Sequence, residues 1–263
     1  MALLFSGGLD SSLLLALAAP VLGSGLTAIT FTGPHLAPGE LAAACALARR
    51  LKVNHLVREI DPLALEDFRH NTPQRCYACK KAIIRRAREM ARTLGAEALW
   101  DGTNLDDLGD FRPGLKAARE LGVRSPLMEA GLDKGAIRQW SRKLGLAWQK
   151  PPQSCLATRF PYYTTLSREG LDRVAQGEAW LRRRGFSRVR LRIQGDWARL
   201  ELAPEEWPLF LSPEVRRPFA ALVARLGWRT FELTAGGGGQ ETQAPAASPT
   251  TLGKKGRPHG SPQ

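Results

Sequence analysis

Cysteine is scarce, with four residues in a chain of 263. So few thiols exclude a disulfide scaffold, which needs a dense set of pairs. Long apolar runs are missing too. The longest falls within residues 13–22, well short of the roughly 20 residues of a membrane span. It does not read as a leader core either, because Asp10 and two serines precede it where a basic stretch belongs. The expectation is a cytoplasmic protein with reduced thiols and no membrane partner. Acidic residues are outnumbered, 25 against 38 basic, which leaves a net charge of +13. Arginine supplies 29 of the basic residues and lysine 9. That balance suits phosphate, carboxylate or nucleic-acid partners. The charge is dispersed rather than blocked, so a G- and C-rich genome explains it equally well. With 43% hydrophobic and 24% charged residues, collagen-like and wholly disordered classes are excluded.

The first 150 residues alternate between strand-like and helix-like patterns. Strands are predicted over 2–5, 26–32, 55–60 and 97–100, with a weaker one over 123–127. Helices are predicted over 10–19, 41–52, 80–94 and 134–144. This alternation implies an α/β fold, a Rossmann-like, doubly wound parallel sheet with its ligands at the carboxyl ends of the strands. A proline-rich junction at 150–152 breaks the pattern. Beyond it, helices at 167–184 and 213–226 and strands at 188–193, 198–202 and 229–233 read as a small α+β unit, with Gly195 and Asp196 as a hairpin turn. The predicted organisation is a domain over 1–150, a second over 151–235 and a disordered tail over 236–263, rich in Gly, Pro, Ser and Gln.

The string SGGLDSS, residues 6–12, lies between the first strand and the first helix. Gly7 and Gly8 let backbone approach a phosphate closely. Ser6, Ser11 and Ser12 offer hydroxyl donors, and the helix N-terminus behind them favours an anion. Asp10 suits the helix start and a Mg²⁺ ion that bridges phosphates. The Walker pattern is missing. A tight turn with a serine cap explains one glycine and one serine but not the whole string. The string resembles the PP-loop of the ATP pyrophosphatase superfamily, enzymes that split ATP into AMP and pyrophosphate.

Cys76 and Cys79 form a C-x-x-C just before the basic helix. Arg75, Lys80, Lys81 and the helix N-terminus are expected to lower their thiol pKa values. The motif alone fits zinc, iron–sulfur, redox disulfide or chance. A third thiol, Cys155, follows two prolines and precedes Arg159, surroundings that suit an activated thiol. Three thiolates can hold a [4Fe-4S] cluster and leave one iron open. Zinc more often recruits a fourth Cys or His, and no His lies near in sequence. Cys45 reads as a buried core thiol.

Taken together, SGGLDSS, RCYACKK, DGTNLDDLGDFRPG, SPLMEAGLDKGAIR, SCLATRFPY and RVRLRIQGDWARLEL resemble, in order, the LarE family of ATP-dependent sulfur transferases, which build the nickel-pincer nucleotide of lactate racemase. The resemblance runs from about residue 3 to 233. It implies ATP on Ser6 to Ser12, with Gly102 and Thr103 near the nucleotide. It implies a pyridinium dicarboxylate mononucleotide as small-molecule substrate, adenylated at a carboxylate and then attacked by sulfur. Two sulfur sources are known in the family. Either the cysteine matching Cys155 gives up its own sulfur, or Cys76, Cys79 and Cys155 hold a [4Fe-4S] cluster whose open iron carries a sulfide. All three thiols are present here, which favours the cluster. Arg112, Arg159, Arg190 and Arg192 then suit substrate carboxylates and phosphate. Arg190 and Arg192 share a strand face, and Glu201 on the partner strand is placed to orient them. A solvated strand face is the plainer alternative. Asp106 and Asp107 read as metal ligands or as turn and cap residues. The family forms oligomers. The sequence departs from the family at Gln194, where His is usual, and after Leu233, where four glycines replace an Arg-containing segment.

Three other readings stand beside this one. A PP-loop tRNA thiolase shares the loop and the charge, but no RNA-binding module is present. An amide-forming synthetase shares the loop but needs no thiols. A non-enzymatic nucleic-acid-binding or iron–sulfur module leaves SGGLDSS unexplained.

Overall fold

The computed structural model describes residues 1–109, 113–149 and 154–236. Arg112, the junction at 150–152 and the tail beyond Gly236 lie outside the described residues. Gly236, the first residue assigned to the tail, is still tied to the sheet, because its N–H donates to the Leu202 carbonyl at 2.7 Å.

Four parallel strands form the first sheet: β1 (Ala2–Leu4), β2 (Thr27–Thr32), β3 (Asn54–Glu59) and β4 (Leu99–Trp100), in the order β3-β2-β1-β4. Their side chains alternate between two apolar layers, as a sheet covered on both faces requires. Leu3 and Ala28 pack with Leu13, Ala44 and Ile137 of helices α1 (Leu9–Leu22), α2 (Glu40–Arg50) and, further along the chain, Lys134–Lys143. Ala2, Leu4 and Ile29 pack on the opposite face with Ile84, Ala87 and Ala118. The helices on that side follow a short α3 (Glu66–Arg69) and are α4 (Arg75–Thr93) and α5 (Pro113–Glu120). The sheet is therefore doubly wound, as the alternating pattern predicts.

The weak strand expected over 123–127 is reduced to one bridge between Trp100 and Arg124. Pro126 is the physical reason. It has no N–H for a ladder, and its fixed φ starts the short helix α6 (Pro126–Glu129) instead. Helix α7 is Lys134–Lys143, as expected to within a residue.

Three strands form the second sheet. β5 (Arg190–Gln194) and β6 (Trp197–Leu202) make an antiparallel hairpin, closed at Gly195 in the left-handed region (φ 64°), and β7 (Thr230–Ala235) runs parallel to β6. Helix α8 (Arg168–Arg182), the short α9 (Trp207–Leu211) and α10 (Pro213–Arg225) accompany it. Leu171, Leu181, Leu191, Leu200, Phe210 and Phe219 build its core. Phe68 of α3 belongs to the same cluster, and Cys79 and Cys155 pack against it. The thiols therefore lie where α3 and α4 meet the second sheet.

Backbone ties hold this junction. Buried Asn71, itself left-handed (φ 50°), donates from Nδ2 to the Phe160 carbonyl at 3.1 Å and to the Pro161 carbonyl at 2.7 Å. The Leu156 N–H donates to the His35 carbonyl at 2.8 Å. The helix expected from residue 80 begins at Arg75, so Cys76 and Cys79 stand inside its first two turns, at i and i+3 on one side. Among the described residues, no helix is long and apolar enough to cross a membrane.

Candidate active site

The loop after β1 is braced by its own serines. Ser6 Oγ and Ser11 Oγ are 3.0 Å apart, and the Gly8 N–H donates to Ser6 Oγ at 3.3 Å. Ser11 Oγ donates to the Gly8 carbonyl at 3.2 Å, while Ser12 is buried in the first turn of α1. Gly7 has φ 73°, and a Cβ there would stand 2.9 Å from Ala44 Cβ. Gly102, just past β4, is tighter still. A Cβ there would meet the Ser11 backbone N at 2.7 Å and Cα at 2.8 Å. The end of β4 is thus pressed against the start of α1. Gly102→Ala is expected to cost about 1–3 kcal/mol of stability through overpacking and to weaken ATP binding, because the contact it forces apart is the loop itself. Denaturant unfolding with ATP calorimetry checks this, and wild-type values in both would contradict it.

A cavity of about 300 Å³ opens above this loop at the carboxyl ends of the strands. Ser6, Gly8, Asp10, Ser11, Gly102 and Thr103 are in its wall. So are Lys80, Asp101 and His35, which sequence reasoning did not single out as site residues. Asp101 is buried, and Lys80 Nζ lies 3.3 Å from its carboxylate. Burial alone would raise the Asp101 pKa. The Lys80 charge and hydrogen bonds from Ser125 Oγ (2.8 Å) and the Thr103 N–H (3.2 Å) outweigh burial and hold it below the usual range. Asp107 also lines the cavity and accepts from the Asn104 N–H at 3.1 Å, whereas Asp106 caps α7 by accepting from the Lys134 N–H at 2.9 Å.

His35 is 6% exposed, and burial pushes its pKa from 6.5 down to about 4 against an opposing pull from Asp61. The sign follows. A histidine whose folded pKa is depressed binds protons more readily when unfolded, so its contribution is complete above pH 6.5 and is lost as pH falls towards 4. The gap corresponds to about 3 kcal/mol. Urea midpoints measured between pH 4 and 7 are expected to fall with acid in the wild type and to flatten in His35→Gln. Parallel curves would contradict this.

The three thiols gather but differ in setting. Cys76 is exposed, Cys79 and Cys155 are half-buried residues, and Cys45 is half-buried in α2 rather than enclosed as expected. Burial pushes the Cys79 thiol up to about 12, with Cys155 and Cys76 adding to the rise and Lys80 opposing it. Burial likewise pushes Cys155 up to about 11. A backbone hydrogen bond from Ala157 and the charges of Arg75 and Arg159 act in the other direction. The expectation that basic neighbours lower the C-x-x-C thiol pKa is therefore corrected at Cys79, and Cys155 likewise departs from the expected activated thiol. The cations are present, but desolvation outweighs them. Three soft thiols would suit a cluster with one open iron. As folded, however, the described residues contain no group of three or more Cys, His, Asp or Glu placed to hold a metal.

The arginines divide sharply. Arg159, 2% exposed, is bidentate with buried Glu178, at 2.7 Å from Nε and 3.2 Å from Nη2. Its Nη1 donates to Ser154 Oγ at 2.6 Å and Thr158 Oγ1 at 2.8 Å. The expected free fork for a substrate carboxylate is therefore already filled by Glu178, because an unpaired buried guanidinium is costly. Arg192 pairs with Glu201 and donates to the Thr158 carbonyl at 3.2 Å. Arg190 lies opposite Glu201 in the ladder and is half-buried, its side chain making no hydrogen bond or ion pair among the described residues. Burial and the neighbouring Arg159 and Arg192 charges lower its pKa, with Glu201 and Glu178 opposing. A half-buried guanidinium among other cations is a ready anion site.

A glycine–serine loop between the first parallel strand and its helix, below a cavity at the strand ends, defines a PP-loop nucleotide-binding α/β enzyme. The asparagine synthase family model matches residues 1–98. A Synechocystis protein described as uncharacterised is 42% identical over 208 residues, covering 79% of this chain and 78% of its own. The pyridinium-3,5-bisthiocarboxylic acid mononucleotide synthase of Lactiplantibacillus plantarum is 37% identical over 237 residues, covering 89% and 84%. An uncharacterised Methanocaldococcus jannaschii protein is 30% identical over 198 residues, 75% of each chain. The chain belongs to the LarE family of ATP-dependent sulfur transferases.

Proposed function

We propose that this enzyme adenylates a carboxylate of pyridinium-3,5-dicarboxylate mononucleotide and converts it to a thiocarboxylate for nickel-pincer cofactor synthesis. One observation carries the reading beyond family membership: the nucleotide cavity and the thiol site share the first turns of α4. Cys79 and Cys155 pack against one apolar cluster, and the residue after Cys79, Lys80, lines the cavity. Activation by ATP and donation of sulfur would then draw on adjacent residues of one helix.

In this reading the loop from Ser6 to Ser12, with Gly102 and Thr103, holds ATP. Asp10 would hold a Mg²⁺ ion, which offsets phosphate charge as pyrophosphate leaves. A substrate carboxylate oxygen attacks the α-phosphorus, the bond to the β-phosphate bridge breaks, and an acyl adenylate forms. Sulfur then attacks the carboxyl carbon and AMP departs. Arg190 binds a substrate phosphate or carboxylate. Arg192 with Glu201, and Arg159 with Glu178, hold the strand and the Cys155 turn around it. Arg112 is a further candidate for a substrate anion. Cys76, Cys79 and Cys155 would hold the [4Fe-4S] cluster, which supplies a sulfide when bound.

The test is anaerobic incubation with ATP, Mg²⁺ and the pyridinium dicarboxylate mononucleotide, with product and protein followed by mass spectrometry. Thiocarboxylate with Cys155 intact supports the cluster as source. The same product with Cys155 converted to dehydroalanine overturns the cluster and makes Cys155 the donor. Asp10→Ala is expected to lower both pyrophosphate and thiocarboxylate by about 10²-fold or more. Neither AMP nor thiocarboxylate from the wild type would sink the proposal.

A further inference from the structure

Arg75 opens α4 immediately before Cys76 and is 5% exposed. Its guanidinium carbon lies 4.7 Å from the centroid of the Tyr162 ring, so one face is covered. Nε and Nη1 are buried and have no hydrogen-bond partner. Among the described residues no carboxylate pairs with it. The other two buried arginines each have one, Glu178 for Arg159 and Glu201 for Arg192. A buried cation without an anion is among the most unfavourable arrangements in a protein interior. The site around Arg75 is therefore short of one negative charge that no described residue supplies.

The surroundings narrow the choice of anion. The orphaned Nε and Nη1 are closed to solvent. Cys76 follows Arg75 in the first turn of α4 and Cys79 opens the second, and Cys79 and Cys155 pack against one apolar cluster. The N-terminus of this 19-residue helix adds its own positive potential. Arg159, the other cation near Cys155, has its Nε, Nη1 and Nη2 committed to Glu178, Ser154 and Thr158.

We propose that Arg75 is a positioning residue for the sulfur donor, with Nε and Nη1 as its hydrogen-bond donors to an anionic sulfur at the site, either a cysteine thiolate or a cluster-bound sulfide. This rests on the thiol site being the sulfur source. Bulky guanidinium donors fixed by Tyr162 hold that sulfur in place and balance its charge until it is transferred.

Charge-selective alkylation tests this without turnover. The wild type, Arg75→Gln and Arg75→Lys are treated with anionic iodoacetate and with neutral iodoacetamide, and each cysteine is followed by peptide mass. The ratio of the two rates at one thiol cancels its thiolate fraction and reports the local potential alone. In the wild type the ratio at Cys155 is expected to exceed that of N-acetylcysteine amide by about fivefold, the effect of one charge at close range. It should fall about fivefold in Arg75→Gln and stay near wild type in Arg75→Lys. An unchanged ratio in Arg75→Gln overturns the proposal. If that variant does not fold, a wild-type ratio no higher than that of the small thiol overturns it.

The same variants, treated anaerobically with iron and sulfide, separate the two sources. A cluster whose midpoint potential is more negative in Arg75→Gln than in the wild type assigns the bond to cluster sulfur. A shifted alkylation ratio without any cluster assembling assigns it to the thiolate. Failure of the wild type to transfer sulfur would overturn the donor reading, whereas an insensitive ratio overturns only the role of Arg75.

Discussion

Cys155→Ala is expected to lose thiocarboxylate formation by at least about 10³-fold, the scale on which removal of a reacting nucleophile acts. AMP and pyrophosphate release in single turnover should stay within about threefold of wild type. The reason is spatial. Cys155 N-caps the 3₁₀ turn Leu156–Arg159, and it is not among the residues that line the nucleotide cavity. The turn meets the cavity wall through the Leu156 N–H on the His35 carbonyl, and alanine keeps that bond. Quantifying pyrophosphate and thiocarboxylate in one quench-flow series separates the two steps. Normal sulfur transfer by Cys155→Ala would show that the transferred sulfur does not depend on this thiol. Loss of both steps would show that the turn shapes the nucleotide cavity as well.

Glu178→Ala is expected to be the most destabilising single change outside the apolar core, by about 3–5 kcal/mol. The Glu178 carboxylate is fully buried and accepts four hydrogen bonds from three residues. It accepts from Arg159 through Nε and Nη2, from Arg182 Nη2 at 2.6 Å and from the Leu191 N–H at 3.0 Å. Without it, a guanidinium that is 2% exposed loses its counter-ion, and β5 loses the bond that fixes Leu191. Glu178→Gln keeps the shape and should cost less, because one oxygen still accepts. Urea unfolding of both variants checks the order, and a cost below about 1 kcal/mol for the alanine would show that water readily reaches Arg159.

Much of this was legible in the residues themselves. Alternating apolar segments identified the doubly wound sheet, because a parallel strand buried on both faces and an amphipathic helix leave different periods. The loop over residues 6–12 was legible because a phosphate cradle is local chemistry, complete within seven consecutive residues. Lys80 and Asp101 were within reach of such reasoning, since one adjoins the C-x-x-C and the other ends a strand where ligands gather. The strand expected over 123–127 was not, because Pro126 turns a pattern that reads as strand into a helix start.

The LarE motifs and the presence of three thiols were thus determined by sequence alone. What each charged group is free to do was decided only by the tertiary structure. Arg159 and Arg190 look alike along the chain, yet one is consumed by Glu178 and the other has no partner among the described residues. His35 became a cavity residue only when its carbonyl met a turn more than a hundred residues away. Arg75 shows its missing anion only once Tyr162 has covered it. A motif records which donors and acceptors exist, whereas burial and pairing between distant segments set their cost and their charge. Those terms depend on three-dimensional neighbours that no spacing along the chain encodes.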